Sequence, residues 1–226
     1  MMKADDGGNV MAGKKQTALM LVQCLEEIYP EAKCSLEYTH PYELMIAGRL
    51  SAQCTDARVN IVTKELFKEF PTLKSFADAD IDRVAEIVRP CGLYKTKAKS
   101  IVEMAGQLYY DLEGNIPETV EELTKLSGIG RKTANLIMGD VHGKPAIVAD
   151  THCIRITGRF GLTKSKDPKV VEQDLLKLIP PDKSSDFCHR LVIFGRDTCS
   201  ARKPDCEHCP LRMKMAERMP GFGCKV

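Results

Sequence analysis

The bulk of this sequence is short of most features that would betray a function. Its formal net charge is only +2, so affinity for a polyanion cannot come from overall charge and has to come from local basic patches. No apolar run approaches the roughly 18 residues of a membrane span. The apolar stretch 18–25 runs into Glu26 and Glu27 and lacks a cleavage site of small residues, so it does not read as a secretory leader. Strand-type alternation, internal repeats and low-complexity segments are missing as well. With 43% apolar and 28% charged residues over 226 positions, the chain has the make-up of one or two ordinary globular cores.

Ten cysteines might suggest a disulfide scaffold. Six of them (Cys24, Cys34, Cys54, Cys91, Cys153 and Cys188) are scattered singly, several within apolar helical patterns, and read as small buried hydrophobes of a reduced compartment. The other four crowd the last 28 residues, where Arg190 to Val226 also carries eight Lys/Arg against four Asp/Glu.

Residues 1–15 are rich in glycine and charge without periodicity and read as a flexible end. Beyond them the apolar spacing is helical nearly throughout: Val59, Val62, Leu66 and Phe70; Ile81, Val84, Ala85 and Val88; Ile101, Ala105, Leu108 and Leu112. Pro117 starts a short helix expected to reach about Lys125, Asp167-Pro168 starts another, and Pro180-Pro181 stops it. The fold is expected to be all-α.

The most informative stretch is Leu126-Ser127-Gly128-Ile129-Gly130-Arg131-Lys132-Thr133-Ala134. Two glycines around one apolar residue permit a tight turn, which Ile129 would plug from inside. The turn lies at the start of the next helix, a natural site for a phosphate. Gly128, Ile129, Gly130, Arg131 and Thr133 are therefore the candidate DNA contacts. The string resembles the helix-hairpin-helix of the DNA glycosylase superfamily, with Ser127 where that motif usually has proline, a departure expected to loosen the turn.

Lys132 falls in the first turn of the following helix. A lysine there is ordinarily just solvated. As a nucleophile it must be neutral, and the positive helix end and Arg131 both disfavour the ammonium form. Asp150 opens the helix that begins at Thr151 and suits an N-cap; a pinned carboxylate could also stabilise positive charge growing on a sugar or move a proton.

Here the likeness narrows. The hairpin string, Val148-Ala149-Asp150-Thr151-His152, Leu50-Ser51-Ala52-Gln53-Cys54-Thr55-Asp56 and Gly92-Leu93-Tyr94-x-x-Lys97-Ala98 together resemble the endonuclease III family, in family order, from about Tyr38 to Cys209. The resemblance implies that Lys132 is the catalytic lysine and Asp150 the catalytic aspartate. It gives Gln53 and Leu93 as residues that fill the gap left by an extruded nucleotide; otherwise they are a polar helix residue and a core leucine. It also implies two helical domains with a DNA-binding cleft between them: a six-helix domain over 34–144, and a second combining 16–33 with 145–226.

Cys199-x6-Cys206-x2-Cys209 is a metal-type spacing. The resemblance places a [4Fe–4S] cluster there, but Met215 occupies the position of its fourth cysteine. Cys224, brought back by a tail containing Gly221 and Gly223, could complete the set; zinc, or no metal at all with Cys224 a loose thiol, are the alternatives. Arg202, Lys203, Arg212 and Lys214 are expected near the DNA backbone.

By resemblance the protein is a bifunctional glycosylase and abasic-site lyase of base excision repair, acting as a monomer on double-stranded DNA that carries an oxidised pyrimidine or an abasic site. It is expected in the cytoplasm of a bacterium, or in the nucleus or mitochondrion of a eukaryote, and not at a membrane or outside the cell. A glycosylase for 8-oxoguanine or mispaired adenine, and a non-catalytic hairpin that only binds DNA, remain as rival readings.

Overall fold

The structure, a computed structural model, describes residues 6–225. The described residues contain helices and no strand, so the all-α expectation holds. The elements are α1 (Asp6–Ile28), α2 (Pro41–Leu50), α3 (Asp56–Glu69), α4 (Leu73–Ala77), α5 (Ile81–Val88), α6 (Tyr94–Gly106), α7 (Val120–Leu123), α8 (Arg131–Asp140), α9 (Thr151–Arg159), α10 (Pro168–Leu176), α11 (Ser184–Asp197) and α12 (Pro210–Arg218). None is long and apolar enough to cross a membrane.

The chain divides into two compact units, one made of Met1–Lys33 with Lys144–Val226 and the other of Cys34–Gly143. In the second unit, α6 packs against α2, α4 and α5, and α8 packs against α2 and α7; Phe76 of α4 is fully buried and touches the rings of Tyr42, Phe67 and Phe70. Burying such a ring contributes about 1.5–3 kcal/mol. The helix starts are set locally. Thr55, Thr72 and Asp80 cap α3, α4 and α5, the Asp80 carboxylate accepting from the Asp82 N–H at 2.7 Å. Glu43, inside the first turn of α2, accepts from the N–H groups of Thr39 and His40 at 2.6 and 2.9 Å.

In the first unit, Leu21 and Leu25 of α1 join Ile156 of α9, Val171 and Leu175 of α10, Phe187, Leu191 and Phe194 of α11, and Leu211 and Met215 of α12 in one buried cluster. Asp167 caps α10 by accepting from Lys169 and Val170 N–H groups at 2.9 and 3.0 Å.

Two elements depart from the sequence reading. Helix α1 starts at Asp6, inside the segment read as a flexible end, of which residues 1–5 lie outside the described residues. Once the buried stretch around Ala18 to Leu25 has nucleated a helix, each further residue adds a hydrogen bond at little cost. The helix expected from Pro117 to Lys125 is the single turn α7. It starts later because Thr119, not Pro117, supplies the cap, its hydroxyl accepting from the Glu122 N–H at 3.2 Å, while the Pro117 carbonyl binds the His142 ring at 3.0 Å.

Candidate functional site

The hairpin runs from α7 through a turn into α8. Leu126 and Ile129 are both buried, so Ile129 plugs the turn as its position suggested, and the Ile129 N–H bonds the Leu126 carbonyl at 3.1 Å. Gly128 has φ +76°, and a Cβ there would lie 2.7 Å from Arg49 Nε and 2.8 Å from Ser100 Cβ and Oγ. Conformation and space therefore both demand glycine. Ser127 does not loosen the turn. Unlike proline it keeps an N–H, which donates to Gln107 Oε1 at 2.8 Å, while its hydroxyl donates to Glu103 Oε2 at 2.7 Å.

Gly130 is the N-cap of α8, and no side chain caps it. The first-turn N–H groups lack intrahelical partners, so this end keeps its positive potential. Lys132 sits in that first turn with an exposed side chain. Thr133 packs its methyl against Gly48 of α2, where a Cβ would come within 2.8 Å, which seats α8 close on α2. Arg131 is half-buried on the same turn.

Gln53 and Leu93 share a rare feature. Among the described residues, the non-glycine positions with positive φ are Gln53 (+57°), Leu93 (+48°) and Glu113 (+53°). A left-handed non-glycine residue costs on the order of 1–3 kcal/mol. Gln53 is exposed and Leu93 is 60% exposed, so Leu93 is neither a core leucine nor excused by packing. Strain of this kind gathers where a side chain must be presented rather than stowed. Both residues lie in the second unit, as does Lys132.

Asp150 lies in the first unit as the N-cap of α9, and its Oδ1 accepts from the Cys153 N–H at 2.7 Å. The same helix grips the cysteine-rich loop. Arg155 donates to the Cys199 carbonyl (2.9 Å) and the Gly195 carbonyl (3.2 Å). Arg159 donates to Cys199 Sγ (3.0 Å), the Ser200 carbonyl (3.0 Å) and the Ala201 carbonyl (3.2 Å).

Cys199, Cys206, Cys209 and Cys224 line one cavity of about 140 Å³, together with Phe160, Phe194 and Arg212. The tail that carries Cys224 is held down. Lys225 N–H donates to the Arg159 carbonyl at 2.8 Å, and Phe222 stacks on Phe160 with ring centroids 5.8 Å apart. Met215 is fully buried in the core and does not line the cavity.

The donor set fits a polynuclear cluster better than one ion. Among the described residues, these sulfurs do not form a set of three within 4.8 Å of one another, as the ligands of a single zinc would. Burial raises the Cys209 thiol above its ordinary range, and burial followed by the neighbouring Cys199, Cys209 and Cys206 pushes Cys224 up to about 11. Both shifts favour the neutral thiol when no cation is near, and the positive charge of a metal core is what would turn such thiols into thiolate ligands. Of the basic residues expected near DNA, Lys214 is paired with Glu27 at 2.9 Å and Arg212 donates to the Cys206 carbonyl at 3.2 Å, whereas Arg202 and Lys203 are exposed.

Lys97 carried no assigned role in the sequence reading. It is fully buried, and its Nζ donates to the carbonyls of Leu50, Ala52 and Cys91, each at 2.8 Å. The signal was present: Lys97 falls on the buried α6 stripe of Ile101, Met104 and Ala105, where a lysine must find partners. Arg155 and Arg159 were also missed, because arginines on a half-exposed helix give no such pattern.

The described residues are helical and carry a glycine hairpin that leads into a helix with a first-turn lysine, and the comparisons with known proteins make this a DNA-repair glycosylase. Residues 46–181 match the family described as HhH-GPD superfamily base excision DNA repair protein, and the chain belongs to it. Within that family its relatives are endonuclease III proteins. It is 41% identical over 202 residues to that of Synechocystis sp., covering 89% of this chain and 92% of the relative. It is 36% identical to that of Escherichia coli K12, covering 86% and 92%. The solved structure of a non-covalent endonuclease III–DNA complex superposes with a TM-score of 0.83 at 38% identity, over 91% of this chain and 98% of that one.

Proposed function

We propose that this glycosylase is bifunctional: it removes oxidised, ring-saturated or fragmented pyrimidines such as thymine glycol from double-stranded DNA and cleaves abasic sites through a lysine Schiff base. The observation that carries this reading is the exposed Lys132 amine in the first turn of α8, beside a helix end that no side chain caps. A phosphate held by that end would bring a deoxyribose within reach of the amine. The relatives and the aligned protein–DNA complex support DNA as the partner.

In this mechanism the target nucleotide leaves the stack at a cost on the order of a few kcal/mol, and Gln53 and Leu93 fill the space it vacates. Lys132 Nζ attacks C1′ as the C1′–base bond breaks and the base departs with a proton. Loss of the sugar-ring oxygen from C1′ leaves a Schiff base. Its electron demand acidifies the C2′ proton, whose removal expels the 3′ phosphate by β-elimination. Asp150, fixed by the Cys153 N–H, stabilises the positive charge that builds on the sugar or carries a proton. The protein acts as a monomer.

Cys199, Cys206, Cys209 and Cys224 are the residues that would hold a [4Fe–4S] cluster. Bound there, it supplies a one-electron couple and ties the end of α11, the loop, α12 and the tail together.

Duplex DNA carrying thymine glycol or an abasic site, incubated with the protein and then treated with borohydride, should yield a covalent adduct that Lys132→Gln abolishes. Base release without an adduct would mean a glycosylase without lyase chemistry, and binding without either would mean a DNA-binding hairpin alone. Efficient action on 8-oxoguanine or mispaired adenine, with none on thymine glycol, would move the substrate class.

A further inference from the structure

The two strained loops that carry Gln53 and Leu93 are separated in sequence but share one internal anchor. An ammonium has three donors and no acceptor, and all three of Lys97 are used, at 2.8 Å each. Two of the acceptors, the carbonyls of Leu50 and Ala52, lie on the chain leading into Gln53. The third, on Cys91, leads into Gly92 and Leu93, both left-handed at φ +68° and +48°. A single fully buried charge therefore holds the backbone of both loops.

The anchor extends to the hairpin. The Lys97 carbonyl accepts from Ser100 Oγ at 2.9 Å, and Ser100 Oγ accepts from Arg49 Nε at 2.8 Å. Those two side chains are the ones against which a Cβ at Gly128 would collide. Loops and hairpin turn are thus seated on one connected set of hydrogen bonds, all within the second unit.

We infer that Lys97 is a positioning residue for nucleotide extrusion: its ammonium sets the spacing of the Gln53 and Leu93 loops and holds both residues in the conformations that present them to the duplex. The inference rests on the proposed roles of Gln53 and Leu93. A lysine that served only the core would matter equally for every substrate. A lysine that sets these loops matters only where a base pair must be opened.

The test compares Lys97→Met with the unaltered protein on two DNAs, a thymine glycol paired within a duplex and an abasic site left unpaired in a bulge. Single-turnover adduct formation on the paired lesion should fall between about 10-fold and 100-fold, while trapping at the bulged site stays within about 2-fold. In a second arm, both proteins carry Lys132→Gln and the duplex has 2-aminopurine beside the lesion. The fluorescence rise on binding should be lost with Lys97→Met and largely restored by Lys97→Arg. An equal loss on both DNAs, no loss on either, or an unchanged fluorescence rise would overturn the inference.

If Lys97→Met does not fold, Lys97→Gln, which keeps two donors, takes its place. In the unaltered protein the Lys97 ammonium should then give a slowly exchanging nitrogen-15 signal both free and DNA-bound; rapid exchange with water would overturn the inference equally. If the unaltered protein forms no adduct with either DNA, the lyase reading fails. The fluorescence arm needs no covalent step and still decides the role of Lys97.

Discussion

The Arg159 guanidinium lies 3.0 Å from the Cys199 sulfur, on the helix whose first turn is capped by Asp150. Within the first unit, α9 thus joins the proposed catalytic carboxylate at one end to the cysteine loop at the other. With the proposed [4Fe–4S] cluster bound, Cys199 would be a thiolate ligand, and a charged N–H donor to it is about twice as strong as a neutral bond. Arg159→Met should therefore leave the fold intact but make the proposed cluster easier to lose. Its visible absorption should bleach several-fold faster under chelator and air than that of the unaltered protein. Identical bleaching rates would show that the contact does nothing for the centre.

The fourth ligand can be tested directly. Protein purified without oxygen should be brown, and Cys199→Ala should abolish the colour. Cys224→Ser should abolish or strongly weaken it, because its tail is tied to Arg159 and stacked on Phe160 beside the other three thiols. Met215→Leu should keep full colour, since Met215 is a buried core residue away from the cavity. Full colour in Cys224→Ser would remove Cys224 from the ligand set, and colourless, iron-free protein from anaerobic purification would remove the cluster altogether.

Much of this was legible in the sequence because the signals were local. A glycine pair before a helix, an aspartate before Thr151 and a tight cysteine spacing all specify structure within a few residues, and each falls where its spacing put it. What stayed hidden depends on long-range placement. Nothing in the spacing shows that Leu93 is strained and exposed, and its apolar side chain suits a core equally well. Ser127 looked like a loss relative to proline until Gln107 and Glu103 were found to meet its N–H and hydroxyl. Lys97 was visible as a lysine on an apolar stripe, but its carbonyl partners come from two distant loops.

The two hairpin glycines should separate stability from binding. Gly128→Ala forces a Cβ into a left-handed residue and against Arg49 and Ser100, so the urea midpoint should drop by an amount worth about 2–4 kcal/mol. Gly130 has φ −92° and nothing within 4 Å of an added Cβ, so Gly130→Ala should cost about 1 kcal/mol or less. It should still weaken DNA affinity, because the added methyl group stands at the helix end proposed to receive a phosphate. Equal stability loss in both variants, or unchanged affinity in Gly130→Ala, would contradict this division.

The pairing of α1 with α12 gives a pH dependence with a definite sign. Glu27 accepts from Lys214 at 2.9 Å and from Arg218 at 2.7 Å, and these hydrogen bonds, Lys214 first, hold its carboxyl below the ordinary glutamate range. A carboxylate whose pKa is depressed on folding contributes stability that is complete above its unfolded pKa and is lost as pH falls through the folded one. Glu27→Gln should therefore lower the urea midpoint at neutral pH. The gap from the unaltered protein should close as the pH drops below the ordinary glutamate range, and added salt should narrow it at neutral pH because the pair is exposed. A gap that persists in acid would mean that Glu27 acts through packing rather than charge, and the absence of any gap at neutral pH would mean that the pair does not hold α12 against α1.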